Sequence, residues 1–79
     1  MSAWKFIGAC PDSQQFEIEG VNVLDHKWIP QKGQMADVKD PLYNQKFHFA
    51  VYEISTGKKR FTFAAGEFSN CMWRFYVPT

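Results

Sequence analysis

The stretch from Lys46 to Val77 constrains the fold most, because apolar and polar residues alternate through three successive segments. Alternation with a period of two predicts β-strands, since successive side chains on a strand point to opposite faces of a sheet. The residues Ser55-Thr56-Gly57 separate the first two segments and fit a three-residue hairpin loop, in which glycine takes the positive φ of the last position. The stretch therefore predicts an antiparallel hairpin followed by a third strand.

The length of this loop sets the predicted pairing of the hairpin. A three-residue loop places Ile54 opposite Lys58 and Phe49 opposite Phe63, whereas a four-residue loop that pairs Phe49 with Ala64 would divide the phenylalanines between two faces. The shorter loop is predicted because it gathers five apolar residues on one face, namely Phe47, Phe49, Val51, Phe61 and Phe63. The third segment, residues 71–77, has aromatic residues on both faces, which predicts a central strand or one covered by another subunit.

Two further strands are predicted near the N-terminus. The first covers residues 4–9 and ends at a turn that contains Pro11. In the second, residues 16–24, the apolar positions change from even (Phe16, Ile18) to odd (Val21, Val23) on either side of Gly20. One extra residue in a strand produces such a change, so the pattern predicts a β-bulge or a sharp bend at the glycine and a sheet that curls.

Residues 25–45 contain Pro30, Gly33 and Pro41 and no sustained period, which predicts a long loop with room for one short helical turn around residues 34–38. The predicted fold is therefore mainly β, with about five antiparallel strands in a curved sheet or small barrel-like domain and a long loop between strands 2 and 3. The 79 residues predict one domain, residues 1–79, near the lower size limit for a single hydrophobic core.

The aromatic content predicts a binding surface. With 18% aromatic residues, one buried sheet face cannot cover all the apolar side chains, so part of that surface is expected to lie between chains, in a homodimer or against an unidentified protein. The expected contact face includes Tyr52, Met72 and Tyr76, with Ile7 and Ile54 nearby. The long loop adds apolar residues of the types that interfaces concentrate, namely Trp28, Ile29, Pro30, Met35, Leu42 and Tyr43. Either these residues join the contact surface, or Trp28 and Leu42 fold back over the open end of the barrel. The candidate interface residues are Trp28, Tyr43, Tyr52, Arg60, Met72, Arg74 and Tyr76.

Single-stranded nucleic-acid binding is the alternative function. Aromatic residues alternate with basic and small ones from Lys46 to Tyr52, as in strands on which bases stack. The tyrosine, lysine and arginine side chains expected on the exposed face are Tyr52, Lys58, Lys59, Arg60, Arg74 and Tyr76. A formal net charge of +1 argues against tight binding to phosphates, so a protein partner is the preferred prediction.

No pattern predicts catalysis, a metal site or a cofactor. His26 and His48 lack a recognisable catalytic setting, and Cys10 and Cys71 have neither zinc nor redox spacing, so both cysteines are expected to be buried thiols. The chain is therefore predicted not to be an enzyme, and a small-molecule binder or enzyme ranks third. Without a signal peptide or an apolar stretch of membrane-spanning length, a cytoplasmic location with no membrane contact is expected.

Overall fold

A computed structural model describes residues 4–11, 15–39, 45–68 and 72–79. These residues are mostly strand, which confirms the prediction of a mainly antiparallel β fold. The elements in chain order are β1 (Trp4–Pro11), β2 (Glu17–Ile18), β3 (Val21–Asn22), a 3₁₀ helix (Val23–Asp25), β4 (Ile29–Lys39), β5 (Lys46–Ser55), β6 (Arg60–Phe68) and β7 (Met72–Pro78).

The five long strands form one antiparallel sheet in the order β1-β7-β6-β5-β4, and β2 and β3 form a separate two-stranded sheet. Strand β7 lies between β1 and β6, so the predicted central position of the last strand is confirmed. The sheet curves until Cα atoms of β1 and β4, its outermost described strands, come within 8 Å of each other, but it does not close. The fold is thus a curved sheet rather than a complete barrel.

The chain reverses direction at Gly20, so the predicted bulge or bend within one strand is wrong. Glu19 and Gly20 have φ values of 53° and 80°, and Ile18 pairs with Val21 across a two-residue loop. Positive φ at both central positions is the signature of a type I′ hairpin turn. Because residues directly opposite each other share a face, this hairpin produces the same change of apolar parity as a bulge would.

The predicted pairing of β5 with β6 is also wrong, because Ile54 lies opposite Phe61 instead of Lys58. The loop has four residues, Thr56 to Lys59, and Ser55 pairs with Arg60 at its base. The backbone N–H of Thr56 donates to the Lys59 carbonyl at 2.9 Å, and the Lys59 N–H donates to the Thr56 hydroxyl at 3.1 Å. Gly57 has the expected positive φ, 89°, within this longer loop.

The observed register divides the phenylalanines between the two sheet faces, and each face carries its own core. The Phe75 core contains Cys10, Ile18, Val23, Ile54, Phe63, Ala65 and Phe75. The Tyr76 core contains Ala36, Val38, Phe49, Val51, Ala64 and Tyr76. Two buried faces account for most of the aromatic side chains that the sequence analysis could not place within one.

Each core is covered by a different part of the chain. Phe16 and Trp28, from the segment around the β2–β3 hairpin, pack against the Phe75 core. Trp4 and Phe6 of β1 pack against the Tyr76 core, to which β4 contributes as well, so the curvature of the sheet encloses this second core. The prediction of an exposed apolar patch that includes Ile54 and Tyr76 is therefore wrong, since these residues are 0% and 1% exposed.

Residues 29–39, which the sequence analysis placed in the long loop, form strand β4. Pro30 and Gly33 are tolerated because β4 is an edge strand, where a missing ladder hydrogen bond or an irregularity costs little. The register shifts between Pro30 and Met35, which takes up the extra residues between them. The helical turn expected around residues 34–38 is therefore not there, since these residues belong to β4; a 3₁₀ turn lies before β4 instead, at Val23–Asp25.

Candidate interaction surface

Two of the seven candidate interface residues, Arg74 and Tyr76, are buried at 5% and 1% exposure. The Arg74 guanidinium lies 5.6 Å from the centroid of the Phe6 ring, a cation–π distance. Both side chains therefore belong to the interior of the folded chain and not to its surface. A third candidate, Tyr43, lies outside the described residues.

The structure brings Trp28 and Tyr52 together, with their ring centroids 5.2 Å apart. The Trp28 ring also meets Phe63, Trp73 and Phe75 edge-on, at centroid distances of 5.1, 5.4 and 5.9 Å. Its indole N–H donates to the Val23 carbonyl at 2.7 Å. Trp28 is half-buried and packs against the Phe75 core, so it is folded back, but onto a sheet face and not over the open end of a barrel. Leu42, which was expected to fold back with it, lies outside the described residues.

The remaining two candidates lie away from this pair. The Arg60 side chain is 77% exposed and its guanidinium pairs with the Glu53 carboxylate. Met72 is half-buried near the start of β7. A shallow depression of about 530 Å³ next to Arg60 is open to solvent and is lined by Glu19, Arg60, Phe61, Thr62, Val77 and Pro78. The seven candidates thus do not form a single site.

A surface that the sequence analysis did not select lies on β4 and β5. Within the described part of the chain, two large hydrophobic residues are exposed, Met35 at 58% and Ile29 at 46%, and both are on β4. Met35 lies opposite Ala50, which shares a sheet face with Tyr52, whereas Ile29 lies opposite Glu53 on the other face. Only Met35 is therefore on the same face as the Trp28–Tyr52 pair.

Regular pairing of β4 with β5 extends this face beyond Met35. We call the side chains on this part of the face the β4–β5 surface. It consists of Met35, Asp37 and Lys39 on β4 and of Lys46, His48 and the half-buried Ala50 on β5. Asp37 lies opposite His48, with 2.5 Å between Oδ1 and Nδ1. Lys39 lies directly opposite Lys46, and neither lysine forms an ion pair with any residue that the structure describes. The surface combines an exposed thioether with two uncompensated cations.

The local sequence contains a signal for this surface. Apolar Ala36 and Val38 alternate in the sequence with charged Asp37 and Lys39, and in the structure the first two are buried and the second two exposed. Alternation over four residues is the shortest run typical of a half-buried strand. The nearby Pro30, Gly33 and Pro41 favoured a loop over a strand, which is why Met35 was expected only as an apolar loop residue and not on a sheet face.

Other site chemistry is limited. Across the described ranges, no three His, Cys, Asp or Glu side chains form a group that could hold a metal ion. Cys10 is buried, as expected, and Cys71 lies outside the described residues. Among the residues with described structure, no helix is long and apolar enough to cross a membrane.

Comparison with known proteins adds no assignment: no family model, curated protein or solved structure matches this chain. The function therefore has to be inferred from the exposure, charge and packing of the β4–β5 surface itself.

Proposed function

We propose that this chain is a protein-interaction domain that binds its partner through the β4–β5 surface. The observation that supports this most is the 58% exposure of Met35 on a face whose neighbouring aromatic residues, Trp28 and Tyr52, are half-buried. Complete burial of a fully exposed methionine side chain contributes about 1.5–3 kcal/mol, so covering the exposed part of Met35 contributes about half of that. Methionine, tryptophan and tyrosine are also residue types that protein interfaces concentrate.

The nucleic-acid alternative loses several of its expected contacts in the folded chain. Arg74 and Tyr76 are buried, the Arg60 guanidinium pairs with Glu53, and the Lys59 ammonium donates to the Glu19 carbonyl at 2.5 Å. Binding of single strands needs accessible aromatic faces along a cationic groove. Because these cationic and aromatic side chains are buried or already paired, a protein partner is favoured over a single strand.

The homodimer is one form that the proposal can take. The sequence-based reason for it was an exposed face containing Ile54 and Tyr76, and both are buried within one chain. Self-association through the β4–β5 surface would instead place Met35 at the apolar part of the contact. The mass of the purified chain in solution distinguishes a second copy from an unrelated protein as the partner.

Replacement of Met35 by glutamate should weaken partner binding at least tenfold. In the complex, a carboxylate would take the place of the thioether that the partner covers, and it would lose its hydration without gaining a hydrogen-bond partner. Peptides selected from a random library against the wild-type domain are the ligands, and fluorescence anisotropy gives their Kd. The same variant examined by light scattering reports on self-association. Because Met35 is exposed on an edge strand, the free energy of unfolding should change by less than about 0.5 kcal/mol.

The matched control is Ile29→Glu, which introduces the same charge at the other exposed hydrophobic residue of β4, on the opposite sheet face. Its affinity for the selected peptides should stay within about twofold of wild type. Equal losses in the two variants would place the contact elsewhere. If the library yields no binding peptide and wild type has the 9.2 kDa mass of one chain, the proposed function is wrong.

A further inference from the structure

We infer that the β4–β5 surface recognises an acidic segment of a partner protein, in which an apolar side chain covers Met35 and carboxylates reach Lys39 and Lys46. This inference rests on the proposed function and specifies the chemistry of the partner. Its basis is the arrangement of charge on the β4–β5 surface, which the rest of the described chain does not neutralise.

The Lys39–Lys46 pair is the first observation. The two residues lie directly opposite each other in the β4–β5 ladder, and like charges in that position destabilise a sheet. The charge on the neighbouring Asp37 is directed to His48, whose Nδ1 is 2.5 Å from its carboxylate. The two lysines of this surface outnumber its one aspartate. A partner carboxylate between the lysines would remove their repulsion.

The second observation is the spacing between the apolar and the charged parts. Lys39 follows Met35 by four residues on the regular part of β4, which corresponds to roughly 13 Å along a strand. Lys32, also exposed, precedes Met35 in the irregular part of the strand. Cations thus flank the exposed thioether along the strand, and an extended segment with acidic residues on both sides of an apolar residue fits this order.

Charge complementarity favours this partner over the two alternatives. Two copies joined face to face through the β4–β5 surface would bring four lysines together with only two aspartates, which disfavours a symmetric dimer. A nucleic-acid strand would supply negative charge, but its bases need open aromatic faces. The apolar groups of the β4–β5 surface are the exposed Met35 and the half-buried Ala50, and neither is aromatic. An acidic polypeptide satisfies both the charge and the apolar contact.

The test uses two fluorescein-labelled peptides of nine residues with a central leucine. One has glutamate at the remaining alternate positions and the other has lysine there, with serine between. The acidic peptide should bind at least tenfold more tightly than the basic one at low ionic strength, and the ratio should fall when salt shortens the screening length. The Lys39→Gln/Lys46→Gln variant should bind the acidic peptide about fivefold more weakly, a loss of the size expected for two exposed charges.

A matched control is Lys5→Gln/Lys58→Gln, which removes two exposed lysines outside the β4–β5 surface and should leave the affinity within about twofold. The inference is overturned if the basic peptide binds equally well, if the control pair loses as much affinity, or if neither peptide binds at about 1 mM. It is also overturned if oligothymidine binds more tightly than the acidic peptide, or if wild type dimerises through Met35. Acidic binding that Met35→Glu leaves intact would instead contradict the proposed surface itself.

Discussion

Replacement of Trp28 by alanine should lower the free energy of unfolding by about 3–5 kcal/mol, the usual cost of removing a large aromatic side chain from a core. The Trp28 ring contacts four other aromatic rings, on Tyr52, Phe63, Trp73 and Phe75, so alanine would leave a cavity over the Phe75 core. Small domains have only about 5–15 kcal/mol of stability in total, so this variant should be largely unfolded well below the melting temperature of wild type.

The control for this prediction is Trp28→Phe, which keeps an aromatic ring but cannot donate the hydrogen bond to the Val23 carbonyl. Its cost should be about 1–2 kcal/mol, from the lost hydrogen bond and the smaller ring. Urea unfolding followed by far-ultraviolet circular dichroism measures both variants without relying on tryptophan fluorescence. A loss below about 1 kcal/mol for Trp28→Ala would mean that the indole is not part of the core and is available to a partner.

The position of Trp28 illustrates how far the sequence alone could lead. Both a contact surface and a folded-back position are consistent with a tryptophan beside Pro30, because neither local propensity nor spacing specifies which sheet face such a residue meets. The deciding contacts are with Phe63, Trp73 and Phe75, which lie at least 35 positions away in the chain. Only the tertiary pairing of β6 and β7 supplies them.

Two errors in the predicted pairing have a common cause, which is that one local pattern fits two backbone geometries. The parity change around Gly20 fits both a bulge within a strand and the two-residue hairpin that the structure contains. Positive φ at Gly57 fits both a three-residue and a four-residue loop. The existence of β1, β5, β6 and β7 was predictable from alternation, whereas β4 was not predicted and the register of the strands depends on contacts that are distant in sequence.

The candidate site was predicted poorly for the same reason. Tyr76 and Arg74 were expected at the surface because a single core face was assumed, and a second core on the other face buries them. Met35 was expected in a loop and not on a strand because nearby prolines and a glycine are typical of loops, although an edge strand tolerates them. A composition rich in aromatic residues predicted that more apolar surface needed cover than one face provides. Within the described residues, the curvature of the sheet covers the Tyr76 core, and the segment around the β2–β3 hairpin covers the Phe75 core.

Replacement of Gly66 by valine should destabilise the domain by about 3 kcal/mol, at the upper end of the usual cost of overpacking a core. Gly66 lies within β6, and a Cβ atom at this position would overlap the ring of Phe49, with the Phe49 Cγ only 2.9 Å away. Phe49 cannot move aside easily, because its ring lies 5.9 Å from that of Phe47 and 5.7 Å from that of Tyr76. The glycine is therefore required by the close approach of an aromatic ring.

Whether Gly66→Val lowers or raises the free energy of unfolding distinguishes the observed register of the β5–β6 hairpin from the register predicted with a three-residue loop. Away from such a ring, valine in place of a strand glycine should be stabilising, since glycine weakens strands by roughly 0.5–1 kcal/mol and valine favours them. The three-residue loop pairs Phe49 with Phe63 and places Gly66 away from Phe49, so it predicts a gain in stability. The observed loop, Thr56 to Lys59, places Gly66 beside Phe49 and predicts the loss.

A double-mutant cycle links that loss to the Phe49 ring itself. In Phe49→Ala the ring is absent, and the further change of Gly66 to valine should then cost less than about 1 kcal/mol or even fill part of the cavity. Urea denaturation of the four proteins gives the coupling free energy, which we expect to be about 2 kcal/mol in favour of the double variant. A coupling near zero, or a stable Gly66→Val single variant, would show that the two residues do not meet and that β5 and β6 pair in another register.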